Sequence, residues 1–182
     1  DGGTTADGWY LDDVSLGEHP APAPKASFYD DFEASPSNAW IRSTWGSDTN
    51  SALGGAGSIR DTPFGRISPD TAQYLNLGVP LDLSGTTNPV LTCWVRGALW
   101  DRTRCRTQIS TDGGINWADI YAINNDWNQP AWQKVQVSLA SYRAASVRLR
   151  FVTWSEWGTT PDIDIYLDRV GVQAGPRADG PV

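Results

Sequence analysis

The sequence predicts an all-β domain of antiparallel sheets packed face to face, and three observations carry that prediction. Helix formers with straight side chains are scarce: 18 Asp stand against 3 Glu, 12 Arg against 2 Lys, and there is no Met. Those missing types are the residues that lose little rotamer freedom in a helix. Eighteen Gly and 12 Pro punctuate the chain, as short strands joined by turns require. Apolar and polar residues alternate with period two in several runs, and no stripe of helical period reaches ten residues.

Taken in order, Ala6 to Leu16 supplies one strand's worth of residues. An isolated strand leaves its backbone groups unpaired, so this one must pair elsewhere. Residues 1–18 therefore read as the terminal strand of a preceding similar domain, or as a strand donated to another copy. The chain opens on Asp1, which reads as an internal start within something longer. Residues 19–26 alternate Pro and Ala and make an extended linker. Residues 27–174 then give one complete sandwich, and 175–182 return to a Gly, Pro and Asp tail. Inside the sandwich the period-two runs are Leu91, Cys93, Val95; Thr107, Ile109; Val135, Val137, Leu139; and Val147, Leu149, Phe151. Turn residues separate them at Leu83–Gly85, Asp112–Gly114, Asn124–Asp126 and Gly158–Pro161. Tyr10 to Leu16 also echoes Tyr166 to Val172, as if both closed a domain of the same kind.

Composition narrows function. At 182 residues and 19.8 kDa, with 40% hydrophobic and 19% charged residues, the chain is a globular domain or slightly more. No apolar run approaches the roughly 20 residues of a membrane span. A net charge of −7 argues against a phosphate-binding surface. His19 is the sole histidine, so triads and metal sites built on imidazole have almost nothing to draw on. Paired carboxylates such as Asp162 and Asp164 could mimic a glycosidase pair, and shared strand parity is thin support for an enzyme.

Strict alternation along the last strand places Asp168 with Val170 and Val172, facing inward. A buried carboxylate costs several kcal/mol unless it is paired or bound to a metal. The first strand brings Asp30, Asp31 and Glu33, with Asp61 in a following loop. Opposed carboxylates without a lysine point to a hard cation, and Ca²⁺ with a structural role fits best. The alternative is neutralisation by Arg60 or Arg66. Ser110 to Trp117 reads as a tight hairpin turn closed by Trp117 and resembles a single Asp-box. Cys93 and Cys105 share core-facing parity, and on neighbouring strands they would form a disulfide or remain buried thiols. Outward parity groups Trp94 and Arg96, Arg104 and Arg106, and Arg148 and Arg150. On adjoining strands they would make one surface for carboxylated or sulfated ligands. Trp154 and Trp157 form a second contact patch.

The ordered motifs Asp31-Phe-Glu33, Trp40, Val79 to Gly85, Pro89 to Trp94, Ser110 to Trp117, Trp132 to Val135, Val147 to Phe151 and Tyr166-Leu-Asp168 resemble the MAM-like jelly-roll modules of secreted bacterial proteins, including those that accompany immune-inhibitor-A-type peptidases. The resemblance spans residues 28 to 172. It implies a two-sheet jelly roll with a structural or adhesive role and no catalysis, often with calcium where first and last strands meet. Carried over by position, Glu33 and Asp168 are the ligands, with Asp31 and Asp61 as further candidates. Arg169 departs from the pattern, since a second Asp is expected there. The rival readings are a glycan-binding module and an extracellular filament subunit assembled through residues 1–18. All three place the protein outside the cell or on its surface, with neighbouring domains, other copies of itself or a glycan as partners.

Overall fold

A computed structural model describes residues 28–34, 38–63, 70–99, 103–124, 126–155 and 164–173. The readings of residues 1–18, 19–26 and 175–182, of Arg66, Trp157 and Asp162, and of the turn at 158–161 lie outside them. Eleven strands are described: β1 (Phe28–Asp30), β2 (Trp40–Arg42), β3 (Gly46–Asp48), β4 (Ser58–Arg60), β5 (Ala72–Leu77), β6 (Val90–Ala98), β7 (Thr103–Ser110), β8 (Ala118–Ile123), β9 (Asn128–Ser138), β10 (Arg148–Ser155) and β11 (Asp164–Gln173). A single short 3-10 turn, Ala140–Tyr142, accompanies them.

Every described pairing is antiparallel, and the strands form two sheets. The first runs β3-β4-β11-β6-β9, with β1 also on β11, and the second runs β2-β5-β10-β7-β8. The chain repeatedly crosses between the sheets, as a jelly roll requires, because each sheet has one apolar face to bury against the other. That core holds Leu75, Leu83, Leu91, Leu99, Leu149 and Ile165 at full burial, around Trp40 and Phe151 with ring centroids 6.0 Å apart. Each fully buried aliphatic side chain is worth about 1.5–3 kcal/mol. The alternating runs fall where the sequence puts them: Leu91, Cys93 and Val95 face inward from β6, and Leu149 and Phe151 from β10.

Two expectations require correction. Cys93 and Cys105 are not on neighbouring strands: β6 and β7 lie in opposite sheets, and both cysteines are free, buried thiols. Packed sheets stand about 10 Å apart, whereas a bridge needs Cα atoms within about 4.4–6.8 Å. Burial raises the Cys93 thiol to about 12 and pushes Cys105 up as well, so neither is a ready nucleophile. The second correction concerns β11. Its alternation breaks at a bulge between Asp168 and Gly171, where Arg169 takes φ 48°. Ile165 and Leu167 face the core before the bulge, and Val170 and Val172 after it. Asp168 therefore shares the parity of outward Tyr166, opposite Trp94.

Candidate functional site

Asp168 is nonetheless 0% exposed. Its cover is the segment between β3 and β4, whose Leu53 amide donates to Asp168 Oδ2 at 2.8 Å. Burial raises the Asp168 carboxyl; the Leu53 and Arg169 amides and the charge of Arg169 hold the rise back, and the charge of Glu33 adds the least. Glu33 is held by the same segment: the amides of Ala56 and Gly57 donate to its two oxygens at 2.7 and 3.2 Å. Gly55, at φ 83°, makes that approach feasible, since a Cβ there would stand 2.2 Å from Glu33 Oε1. Asp168 Oδ1 remains buried without a hydrogen-bond partner, as does the Ser51 hydroxyl on the same segment. A pair of carboxylates with an orphaned oxygen is a hard-oxygen donor set of the type calcium takes.

The other carboxylates of that expectation go elsewhere. Asp31 accepts the Glu33 amide at 3.3 Å. Asp30 accepts from the Phe32 amide and the Trp40 indole at 2.8 and 2.9 Å. Asp61, 0% exposed, accepts the Ile165 amide at 3.1 Å and the Thr62 hydroxyl at 3.3 Å. Arg60 does not neutralise it, because Arg60 pairs with Asp164. Among the described residues no three His, Cys, Asp or Glu side chains converge as a metal cluster.

The Arg and Trp surface expected from parity is divided between two faces, because β6 lies in one sheet and β7 and β10 in the other. On the first sheet Arg96 lies over Tyr166 and Trp132, 4.8 and 5.7 Å from the ring centroids. On the second, antiparallel register places Arg150 opposite Gln108 and Trp154 opposite Arg104. Arg106 is taken up internally: it donates to the Cys105 and Ile123 carbonyls and to Asn124, pairs with Asp119 at 3.3 Å, and lies under Trp154. Arg148 projects from β10 opposite Ser110, with its Nε buried and unpartnered.

Arg150 occupies the centre of this second face. Its guanidinium lies 3.9 Å from the Trp117 ring centroid and 5.1 Å from that of Tyr74, and its Nε donates to Gln108 Oε1 at 2.7 Å. Gln108 in turn donates to Asp119 at 2.6 Å. Trp117 is aimed by the hairpin between β7 and β8, where its indole donates to the Gly114 carbonyl at 2.9 Å. The result is a cleft of about 280 Å³ lined by Tyr74, Trp154, Arg150, Gln108, Thr71 and Asp70 among others. Two aromatic faces beside a fixed polar centre can stack on an apolar ring face and hydrogen-bond its hydroxyls. Tyr74 and Gln108 are members that sequence reasoning misses. Tyr74 carries a signal, since it alternates with buried Gln73, Leu75 and Leu77 along β5. Gln108 does not, for only cross-strand register pairs it with Arg150.

Solved structures share this architecture. The K2 cleaved adhesin domain of Lys-gingipain aligns at a TM-score of 0.57 and 15% identity, over 82% of this chain and 99% of that one. The CBM22-1 xylan-binding domain of Paenibacillus barcinonensis Xyn10C aligns at 0.56 and 17%, over 86% and 100%. TmCBM61, solved with beta-1,4-galactotriose, aligns at 0.50 and 12%, over 75% and 89%. The fold is that of adhesin and carbohydrate-binding β-sandwiches. No family model and no curated protein matches the chain. Among the described residues no helix is long and apolar enough to cross a membrane.

Proposed function

We propose that this domain is a non-catalytic glycan-binding module of a secreted or surface protein, with its ligand in the cleft on the β2-β5-β10-β7-β8 face. The observation that carries the reading is Arg150, held between Tyr74 and Trp117 and fixed by Gln108 in a cleft that Trp154 also lines. A guanidinium already oriented by two rings and a hydrogen bond loses little freedom on binding, so its remaining donors are preorganised for sugar hydroxyls. The adhesin and xylan-binding likenesses and the motif resemblance to MAM-like modules support an extracellular binding role.

The same reading places calcium at Glu33 and Asp168, with the remaining oxygens of its six to eight supplied by backbone carbonyls or water. The orphaned Asp168 Oδ1 supports it. There the ion would bridge buried Asp168 and exposed Glu33 and fasten β11 to the end of β1. Its role is structural, away from the cleft.

Calorimetric titration of the whole chain with xylan- and β-1,4-galactan-derived oligosaccharides tests the binding reading. At least one series is expected to bind saturably, and Trp154→Ala to weaken that binding roughly tenfold or more, about 1.4 kcal/mol. Absence of binding to both series, or full affinity in Trp154→Ala, would overturn it.

A further inference from the structure

The opposite face of the sandwich carries a second groove. It has a volume of about 300 Å³ and runs over β1, β11, β6 and β9, where Tyr29, Trp94, Lys134, Arg169, Thr92 and Gly171 line it. That volume lies at the small end of the range for ligand sites. Its floor exists because of Gly171, which register places opposite Thr92. A Cβ at Gly171 would stand 3.2 Å from both the Phe28 carbonyl oxygen and Tyr29 Cδ2, so a larger residue would crowd β1 and fill the groove. Trp94 and Lys134 are cross-strand partners on β6 and β9. Tyr29 is 61% exposed on the three-residue strand β1.

The charges decide what fits. Both charged residues lining the groove, Lys134 and Arg169, are cationic, on a chain whose net charge is −7. Lys134 comes from the strand β9 and Arg169, exposed at φ 48°, from the β11 bulge, with its guanidinium also against Gly54 and its charge acting on Asp168. Two cations from separate strands, beside aromatic rings, match a ring-shaped ligand that carries negative charge. We propose that this groove is a second, independent binding site for an acidic sugar unit, carboxylated or sulfated, within a polysaccharide. It shares none of its lining residues with the Arg150 cleft. The domain then has two sites of different charge preference on opposite sheets, and it can bridge two glycan chains.

The test is titration of the whole chain with an oligogalacturonate, with a sulfated galactan oligomer, and with a neutral galactan oligomer as control. At low salt at least one acidic probe is expected to bind at least tenfold more tightly than the neutral one, and to weaken as salt rises. Which acidic probe binds distinguishes carboxylate from sulfate. Tyr29→Ala and Lys134→Gln alter side chains on short or edge strands at the surface, and each is expected to reduce that affinity at least fivefold with an unchanged melting temperature. Trp154→Ala is expected to leave it intact, which separates this site from the Arg150 cleft. The proposal is overturned if neither acidic probe outbinds the neutral one. It is also overturned if both groove variants keep full affinity, or if Trp154→Ala removes it.

Discussion

Asp61 shows how one buried residue sets a pH response. Its carboxyl lies in the interior, where the Ile165 amide and the Thr62 hydroxyl satisfy Oδ1 while Oδ2 has no partner. Thr153 of β10 stands beside the carboxyl, yet its hydroxyl is unpartnered too. Burial, with help from the charge of Asp164, raises the Asp61 carboxyl from 3.8 to about 7. The folded state therefore holds a proton that the unfolded chain releases above pH 3.8, and stability falls as pH rises from about 4 through 7. Over that window the loss amounts to about 4 kcal/mol. Denaturant unfolding at pH 4, 5.5 and 7 is expected to show this decline, and Asp61→Asn, which stays neutral, to remove most of it. An equal slope in the variant would show that another group carries it; raised Asp168 leaves a remainder of the same sign.

At the scale of one element, the β7–β8 hairpin explains how a turn motif serves the cleft. Asp112 accepts the amides of Ile115 and Asn116 at 3.1 and 2.9 Å and the Ser110 hydroxyl at 2.7 Å. These bonds, the Asn116 amide foremost, lower its carboxyl to about 2. The contribution is present above the ordinary carboxylate pKa of 3.8 and is lost as pH falls towards 2. Asp112→Ala is expected to lower the melting temperature at pH 6 by a few degrees, and by less at pH 3, in thermal unfolding followed by circular dichroism. It should also loosen Trp117 from Arg150 and weaken glycan affinity. Loss of stability without loss of affinity would make the turn purely structural.

For the whole molecule, the first and last described strands meet through β1 on β11, and Glu33 and Asp168 lie beside that junction. A cation held there links residues far apart in sequence and stabilises only the folded state, so its effect grows with concentration by mass action. Adding calcium after chelation is expected to raise the melting temperature measured by calorimetry. Asp168→Ala is expected to abolish that response and Asp61→Asn to preserve it, since Asp61 lies apart from the pair. A melting temperature indifferent to calcium and chelator would remove the ion from the account.

The amino-acid sequence determined the fold class and the facing of most strands, because a period of two reports burial locally. The inward sets on β6 and β10 and the Asp112 turn were legible for that reason. It also singled out Asp168 as a carboxylate needing a partner, although by a wrong route. One bulged residue, Arg169, reverses the parity of everything after it, and its one local signal, the isolated Gly171 within a strand pattern, does not say where the register shifts. Tertiary structure alone decided which strands share a sheet. That pairing separated Cys93 from Cys105, divided the Arg and Trp surface between opposite faces, and united Tyr74, Gln108 and Arg150 in one cleft. Parity tells a residue which side of its own strand it occupies, but adjacency between strands depends on contacts distant along the chain, which local alternation does not encode.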